Sequence, residues 1–200
     1  MTAREIFRMV LVLTIVTGIW GGLLSLVKIA TEDQIEYQRI KNIKAPALRK
    51  ALTVEYTNDP VKDRQTFVIG KDSKTGKPIE RTIFYAKQNG EIKAVALEAY
   101  GTGYEGNVGV MLSILVPEGT LGSIAITTHS ETPGVGTKVF ESEEFMTQFS
   151  NVSIDTNFAP SSGTIDALSG ATYTSHGVQK AVDNGIEIYK QLKPKILQGS

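Results

Sequence analysis

The 200-residue chain has no cysteine, two histidines and one tryptophan. Without cysteine there can be no disulfide, no thiolate-held iron–sulfur cluster, no thioether haem attachment and no cysteine-based zinc site. With His129 and His176 as the whole imidazole supply, a transition-metal centre would need a cluster of carboxylates, and the sequence displays none. An excess of either charge is also missing. The 21 Lys+Arg balance the 21 Asp+Glu, which argues against nucleic acid or another charged polymer as the main partner. If such a chain handles electrons, its cofactor is organic.

Charge is absent altogether from one stretch, the nineteen residues Met9 to Val27, "MVLVLTIVTGIWGGLLSLV". That length suits one α-helix crossing the hydrocarbon layer. A cleaved signal peptide is the competing reading. It would place Lys28 at a small-residue cleavage position ahead of Thr31, and a lipoprotein signal would need a cysteine. A retained anchor is therefore expected. Arg4 and Arg8 precede the span while Lys28, Arg39 and Lys41 follow it, so the positive-inside count is near balance. A long C-terminal domain translocates largely regardless of such charges, and an outward-facing domain is expected.

The pattern divides the chain into a short segment 1–8, the span 9–27, a juxtamembrane stalk and helical linker 28–64, an α+β domain 65–193 and a tail 194–200. "TEDQ", Thr31 to Gln34, has the capping-box pattern for a stalk helix that Pro46 interrupts. An exposed loop, Gly70 to Pro78, separates the strand-like "TFVI" and "RTIFYA". Asn89-Gly90 predicts a type I′ hairpin before "IKAVALEAY". Val108, Val110, Leu112, Ile114 and Val116 alternate along a further strand, "PEGT" turns the chain, and "SIAITT" continues the meander. The Gly-rich "HSETPGVG" then leads into a helix-like "KVFESEEFMTQFS". Val178, Val182, Ile186 and Tyr189 form a helical stripe near the C-terminus. The fold class is α+β, an antiparallel sheet with flanking helices.

Directly before that stripe lies "SGATYTS", Ser169 to Ser175, with four hydroxyl residues around a Gly-Ala pair. One hydroxyl suffices to cap a helix, so Thr172, Thr174 or Ser175 as N-cap is the plain structural reading. A small-residue loop at a helix N-terminus also converges backbone N–H groups on an anion, and its hydroxyls can donate to phosphate or carry one covalently. A hydrolytic triad of Ser169, His176 and Asp166 is disfavoured, because Ala167 and Ala171 stand where a nucleophile elbow requires glycine. His129 reads equally as a structural histidine.

"DALSGAT", Asp166 to Thr172, resembles the Asp-x-x-Ser/Thr-Gly-Ala-Thr signature of proteins that carry covalently attached FMN. "GTGYEG" at 101–106, the alternating strand and "HSETPGVG" at 129–136 resemble that family's other landmarks, in the same order. Within the family, the short chain with one N-terminal span is similar to the G subunit of Rnf ion-translocating complexes, relatives of the C subunit of the sodium-translocating NADH:quinone reductase. The resemblance implies an FMN-binding domain over 65–193, with FMN joined through its phosphate to Thr172. It implies that Asp166, Ser169, Gly170 and Ala171 form the sequence recognised by a separate flavin transferase. It further implies that Glu131, Thr132, Pro133 and Gly134 lie by the flavin, that Tyr104 helps form its pocket, and that Thr174 and Ser175 are phosphate donors or caps.

The function so implied is an electron relay within a complex coupling ferredoxin and NAD chemistry to ion transport. The partners would be the other polypeptides of that complex and the lipid bilayer, with no nucleic acid and no metal. The location would be a bacterial or archaeal cell membrane, with the domain on the periplasmic side. Two alternatives stand beside it: a quinone-reductase C-type subunit or standalone flavoprotein, and a non-catalytic membrane-tethered binding or assembly domain.

Overall fold

The structure, a computed structural model, describes residues 3–72, 75–116 and 118–198. Ser73 and Lys74 in the 70–78 loop, Pro117 of "PEGT", and residues 1, 2, 199 and 200 of the terminal segments lie outside the described residues. The chain forms two compact units, Met1–Asn42 and Ile43–Ser200.

The first unit is built on α1 (Ala3–Arg39), of which Ala3–Glu32 is long and apolar enough to cross a membrane. The expected capping box does not start a new helix here. The Thr31 hydroxyl donates back to the Val27 carbonyl at 2.7 Å, as an interior helical threonine does, and no proline or glycine between residues 28 and 39 breaks the helix. A π-helical turn, Ile40–Lys44, follows.

The second unit begins with α2 (Ala45–Ala51), in which Pro46 occupies the first turn, where its missing N–H leaves no bond unmade. The proline therefore opens a helix instead of ending one. Five strands follow, β1 (Arg64–Lys71), β2 (Pro78–Gln88), β3 (Glu91–Thr102), β4 (Asn107–Leu115) and β5 (Thr120–Thr128), in one antiparallel sheet whose spatial order is the chain order. Asn89 and Gly90, with φ of 54° and 85°, make the tight β2–β3 turn.

Two apolar layers enclose the sheet. On one face, Val108, Val110, Leu112 and Ile114 of β4 pack with Val178, Val182, Ile186 and Tyr189 of α5 (Thr172–Gln198). On the other, Ala47, Leu48 and Ala51 of α2 meet Phe84, Ala86, Ala94, Ala96, Met111 and Ala125, mostly small side chains that let the helix approach closely. Ala47, Leu48, Ala51 and Leu52, within the stretch 28–64 read from sequence as stalk and linker, thus contribute to the core. The second β4 face is buried as well. Its buried polar member, Ser113, donates to the Ala51 carbonyl at 2.5 Å and accepts the Ser123 N–H at 3.2 Å.

Two helix boundaries also differ from the sequence reading. "KVFESEEFMTQFS" is split into α3 (Lys138–Glu141) and α4 (Glu143–Thr147) by Ser142, which is extended and accepts the Phe145 N–H as the α4 cap. At the C-terminus α5 runs through Pro194 into the supposed tail, where burial of Leu192 and Ile196 offsets the backbone bond that the proline lacks.

The placement of α5 is set by backbone contact. A Cβ at Gly101 of β3 would lie 2.0 Å from the Gly177 carbonyl oxygen, and one at Gly177 would lie 2.8 Å from Gly103 Cα. Only glycines permit this crossing.

Tyr189 is buried in the α5 layer, and its hydroxyl has no hydrogen-bond partner among the described residues. Burial raises its pKa above 10.0, so the unfolded chain releases this proton first and the stability tied to the neutral phenol is lost as pH rises through the folded value. Tyr189→Phe is expected to keep or raise Tm at neutral pH and to lose less stability above about pH 10 than the parent. Thermal melts at both pH values check this; a clearly lower Tm at neutral pH would mean that the hydroxyl is satisfied.

Candidate functional site

The four hydroxyls of "SGATYTS" are divided among different tasks, and none caps α5 from the position before it, which Ala171 occupies. Ser175, fully buried, accepts the Leu168 N–H at 3.0 Å and donates to the Ala171 carbonyl at 3.1 Å, tying the preceding loop to the first turn. Thr174, also buried, donates to Glu131 Oε2 at 2.5 Å. Ser169 is exposed on the loop. Thr172, the first helical residue, presents its side chain outward. The first N–H groups of an α-helix have no intrahelical acceptor, and Ala171 has no side-chain oxygen to offer them. An electropositive helix end thus adjoins an accessible secondary hydroxyl.

Glu131 is the opposite case, a carboxylate only 4% exposed. Besides the Thr174 hydroxyl it accepts the Glu105 N–H, at 3.1 Å on Oε1. Glu105 in turn accepts the Thr132 hydroxyl. Two glycines make the space. A Cβ at Gly103 would stand 2.5 Å from Oε1, and one at Gly136 would stand 2.7 Å from Oε2. One buried carboxylate therefore fastens together the β3–β4 turn, the 131–136 loop and the start of α5. Each of its oxygens receives a hydrogen bond, as a buried charge requires.

These three segments enclose a cleft of about 240 Å³ lined by Tyr104, Glu131, Thr132, Val135, Gly136 and residues 170–174. Of the residues singled out in the sequence, Tyr104, Glu131, Thr132, Gly170, Ala171, Thr172 and Thr174 are brought together there. Pro133 and Gly134 sit at the exposed tip of the loop, and Ser175 faces the interior. Asp166 is held by its backbone: its N–H donates to Gln148 Oε1 at 2.8 Å and its carbonyl accepts from Gln148 Nε2 at 3.3 Å, while the residue stays exposed. Gln179 adds a 2.8 Å bond to the Ile165 carbonyl. Sequence reasoning missed Val135, Gly136 and Tyr173. Tyr173 carried a usable signal, an aromatic residue beside Thr172 at a helix start.

His129 is exposed, with its ring 4.7 Å from that of Phe140, and does not line the cleft. Among the described residues no hydrogen bond joins Ser169, His176 and Asp166, so no hydrolytic relay is assembled. Nor do the described residues contain a cluster of His, Asp and Glu able to hold a metal ion.

Residues 103–187 match the FMN-binding domain family, a stretch running from the β3–β4 turn into α5 that contains every residue lining the cleft. Over nearly the whole chain, relatives named as the G subunit of an ion-translocating oxidoreductase complex are found in bacteria and an archaeon. The Buchnera aphidicola protein is 27% identical, covering 94% of this chain and 90% of its own. The Methanosarcina acetivorans protein is 23% identical, covering 92% and 95%. Among solved structures, NqrC of Shewanella oneidensis superposes with a TM-score of 0.59 at 15% identity, over 82% of this chain and all of that one. The C subunit of the Na+-translocating NADH-quinone reductase of Parabacteroides distasonis gives 0.54 at 17% identity, over 78% and 94%. The fold is therefore that of the NqrC domain, preceded by an apolar helix.

Replacing Glu131 by alanine would leave the buried Thr174 hydroxyl unpaired and take away the acceptor of the Glu105 N–H, at a cost of about 2–3 kcal/mol. Glu131→Gln, which keeps the size and one acceptor, is expected to cost clearly less. Urea unfolding of the two variants checks this, and an alanine variant as stable as the parent would show that the carboxylate fastens nothing.

Proposed function

We propose that this chain, whose residues 103–187 form an FMN-binding domain behind an apolar N-terminal helix, is a membrane-anchored flavoprotein that relays electrons as one member of an ion-translocating oxidoreductase complex. The observation that carries the reading is the cleft itself, in which an outward threonine hydroxyl, an uncapped helix N-terminus and exposed aromatic surface meet.

The residues fit FMN by chemistry. The N–H groups at the start of α5 suit a phosphate, Gly170 and Ala171 allow close backbone approach, and Tyr104, Val135 and Tyr173 offer apolar surface to a planar ring. Thr172 is the attachment residue in this reading. Its Oγ bonds to the FMN phosphorus of FAD as the pyrophosphate link breaks, the threonine proton is released and AMP leaves. A separate flavin transferase performs that step, meeting the exposed Asp166 and Ser169 on a loop whose backbone Gln148, Gln179 and Ser175 hold in place.

Once attached, FMN supplies one- and two-electron chemistry. This chain's own residues position it. Glu131 holds Thr174, and with it the first turn of α5, against the two neighbouring loops. Thr174 and Ser175 are spent on that framework in this structure, so phosphate binding falls to the helix N–H groups. The anchor keeps the domain at high effective concentration beside integral-membrane partners, with the domain on the outer, periplasmic side. The names of the whole-chain relatives favour a G-type over a C-type role in such a complex.

Thr172→Ala is expected to abolish covalent flavin while changing stability by no more than about 0.5 kcal/mol, the usual range for an exposed position. Intact mass and peptide mapping of protein coexpressed with a flavin transferase check this: the parent should gain FMN less one water on the Thr172 peptide. A parent left unmodified by a transferase active on a control substrate would reduce the cleft to a turn and a helix start. Retention of covalent flavin by the variant would move the attachment elsewhere.

A further inference from the structure

Tyr104 and Tyr173 are 72% and 70% exposed, the highest values among the large apolar and aromatic side chains described in the second unit. Val135, at 53%, lies in the same cleft. Among the described residues of that unit, the other exposed large apolar side chains are Val68, Leu197 and Ile43, all less exposed than the two tyrosines, and none of these lines the cleft. Phenol rings left so open at one place in an otherwise well-covered domain mark a binding surface.

The two rings come from different segments, the β3–β4 turn and the first turn of α5. Their centroids are 6.0 Å apart with the planes inclined at 50°. Such a tilted pair is not stacked on itself, so ring face remains available to a third planar group. Tyr173 immediately follows Thr172, and Tyr104 is joined through Glu105 to the carboxylate that fixes the same helical turn. The framework therefore holds both rings beside the outward hydroxyl of Thr172.

We propose that Tyr104 and Tyr173 form an electron-rich platform that contacts the isoalloxazine ring of the threonine-linked flavin and lowers its reduction potential, an inference that rests on the function proposed above. Oxidised isoalloxazine is electron-poor and its reduced form electron-rich. Contact with a phenol ring thus favours the oxidised form. The same contact lets the phenol quench flavin fluorescence, because a nearby tyrosine transfers an electron to the excited ring and recovers it in the dark. Neither effect consumes an oxidant or a reductant. Both need proximity, which a ring elsewhere on the surface would not have.

The test uses the full chain, loaded by coexpression with a flavin transferase, with occupancy of Thr172 fixed first by peptide mass. In the parent, flavin fluorescence is expected to rise several-fold on denaturation. Tyr104→Leu, Tyr173→Leu and the double variant should be brighter when folded and have higher midpoint potentials, with the double variant showing the largest change. Tyr173→Phe should retain the visible circular dichroism of the bound flavin, since a ring is still present, yet be brighter than the parent because phenylalanine is a poor electron donor. All these residues are exposed, so loss of folding is not expected, and far-ultraviolet circular dichroism monitors it. A double leucine variant with full occupancy at Thr172 but unchanged fluorescence and potential would overturn the platform. A parent that never acquires flavin would overturn the function it rests on, and the platform with it.

Discussion

The approach of two backbones at Gly101 and Gly177 governs the rest of the domain. Where β3 and α5 touch without side chains between them, the helix cannot slide or rotate without a clash, so its first turn is fixed relative to the β3–β4 turn. Everything that lines the cleft inherits its position from that crossing. The apolar stripe of α5 supplies the adhesion, and the glycines supply the address.

Glu131 adds a second constraint of a different kind. A buried carboxylate is costly unless its oxygens are satisfied, and here its partners belong to two other segments, with glycines leaving room for it. The cost is converted into specificity, because the arrangement is satisfied only when all three segments are in register. Polar chemistry near the cleft is consequently divided. Thr174 and Ser175 serve the framework, whereas Thr172 and the N–H groups around it face outward.

The sheet was largely legible in the sequence. The Asn89-Gly90 turn, the alternation from Val108 and the stripe from Val178 each report a local geometry with a known period. What was not legible depended on tertiary partners. The role of α2 is invisible in "APALRKA", since alanines signal burial only when a second surface is present to receive them. Ser142 divides a segment with continuous helical appearance, and Pro194 fails to end one, because packing outweighs propensity at both places. In the cleft the motif residues could be named through the family resemblance, whereas their pattern alone reads as a turn and a helix cap. The division of labour among the hydroxyls could not, as it depends on a glutamate more than forty positions away in the chain.

Because the cleft draws on residues near 104, 131–136 and 170–174, no short fragment of the chain contains it. It comes into being only when the last helix has docked on the third strand. A polypeptide emerging N-terminus first must therefore complete its C-terminal half before Thr172 acquires its surroundings, so that the attachment proposed above would come late in biogenesis. On that proposal, quality control would be built into the order of assembly, with a misfolded domain offering a flavin transferase a tag sequence but no seat for what it delivers.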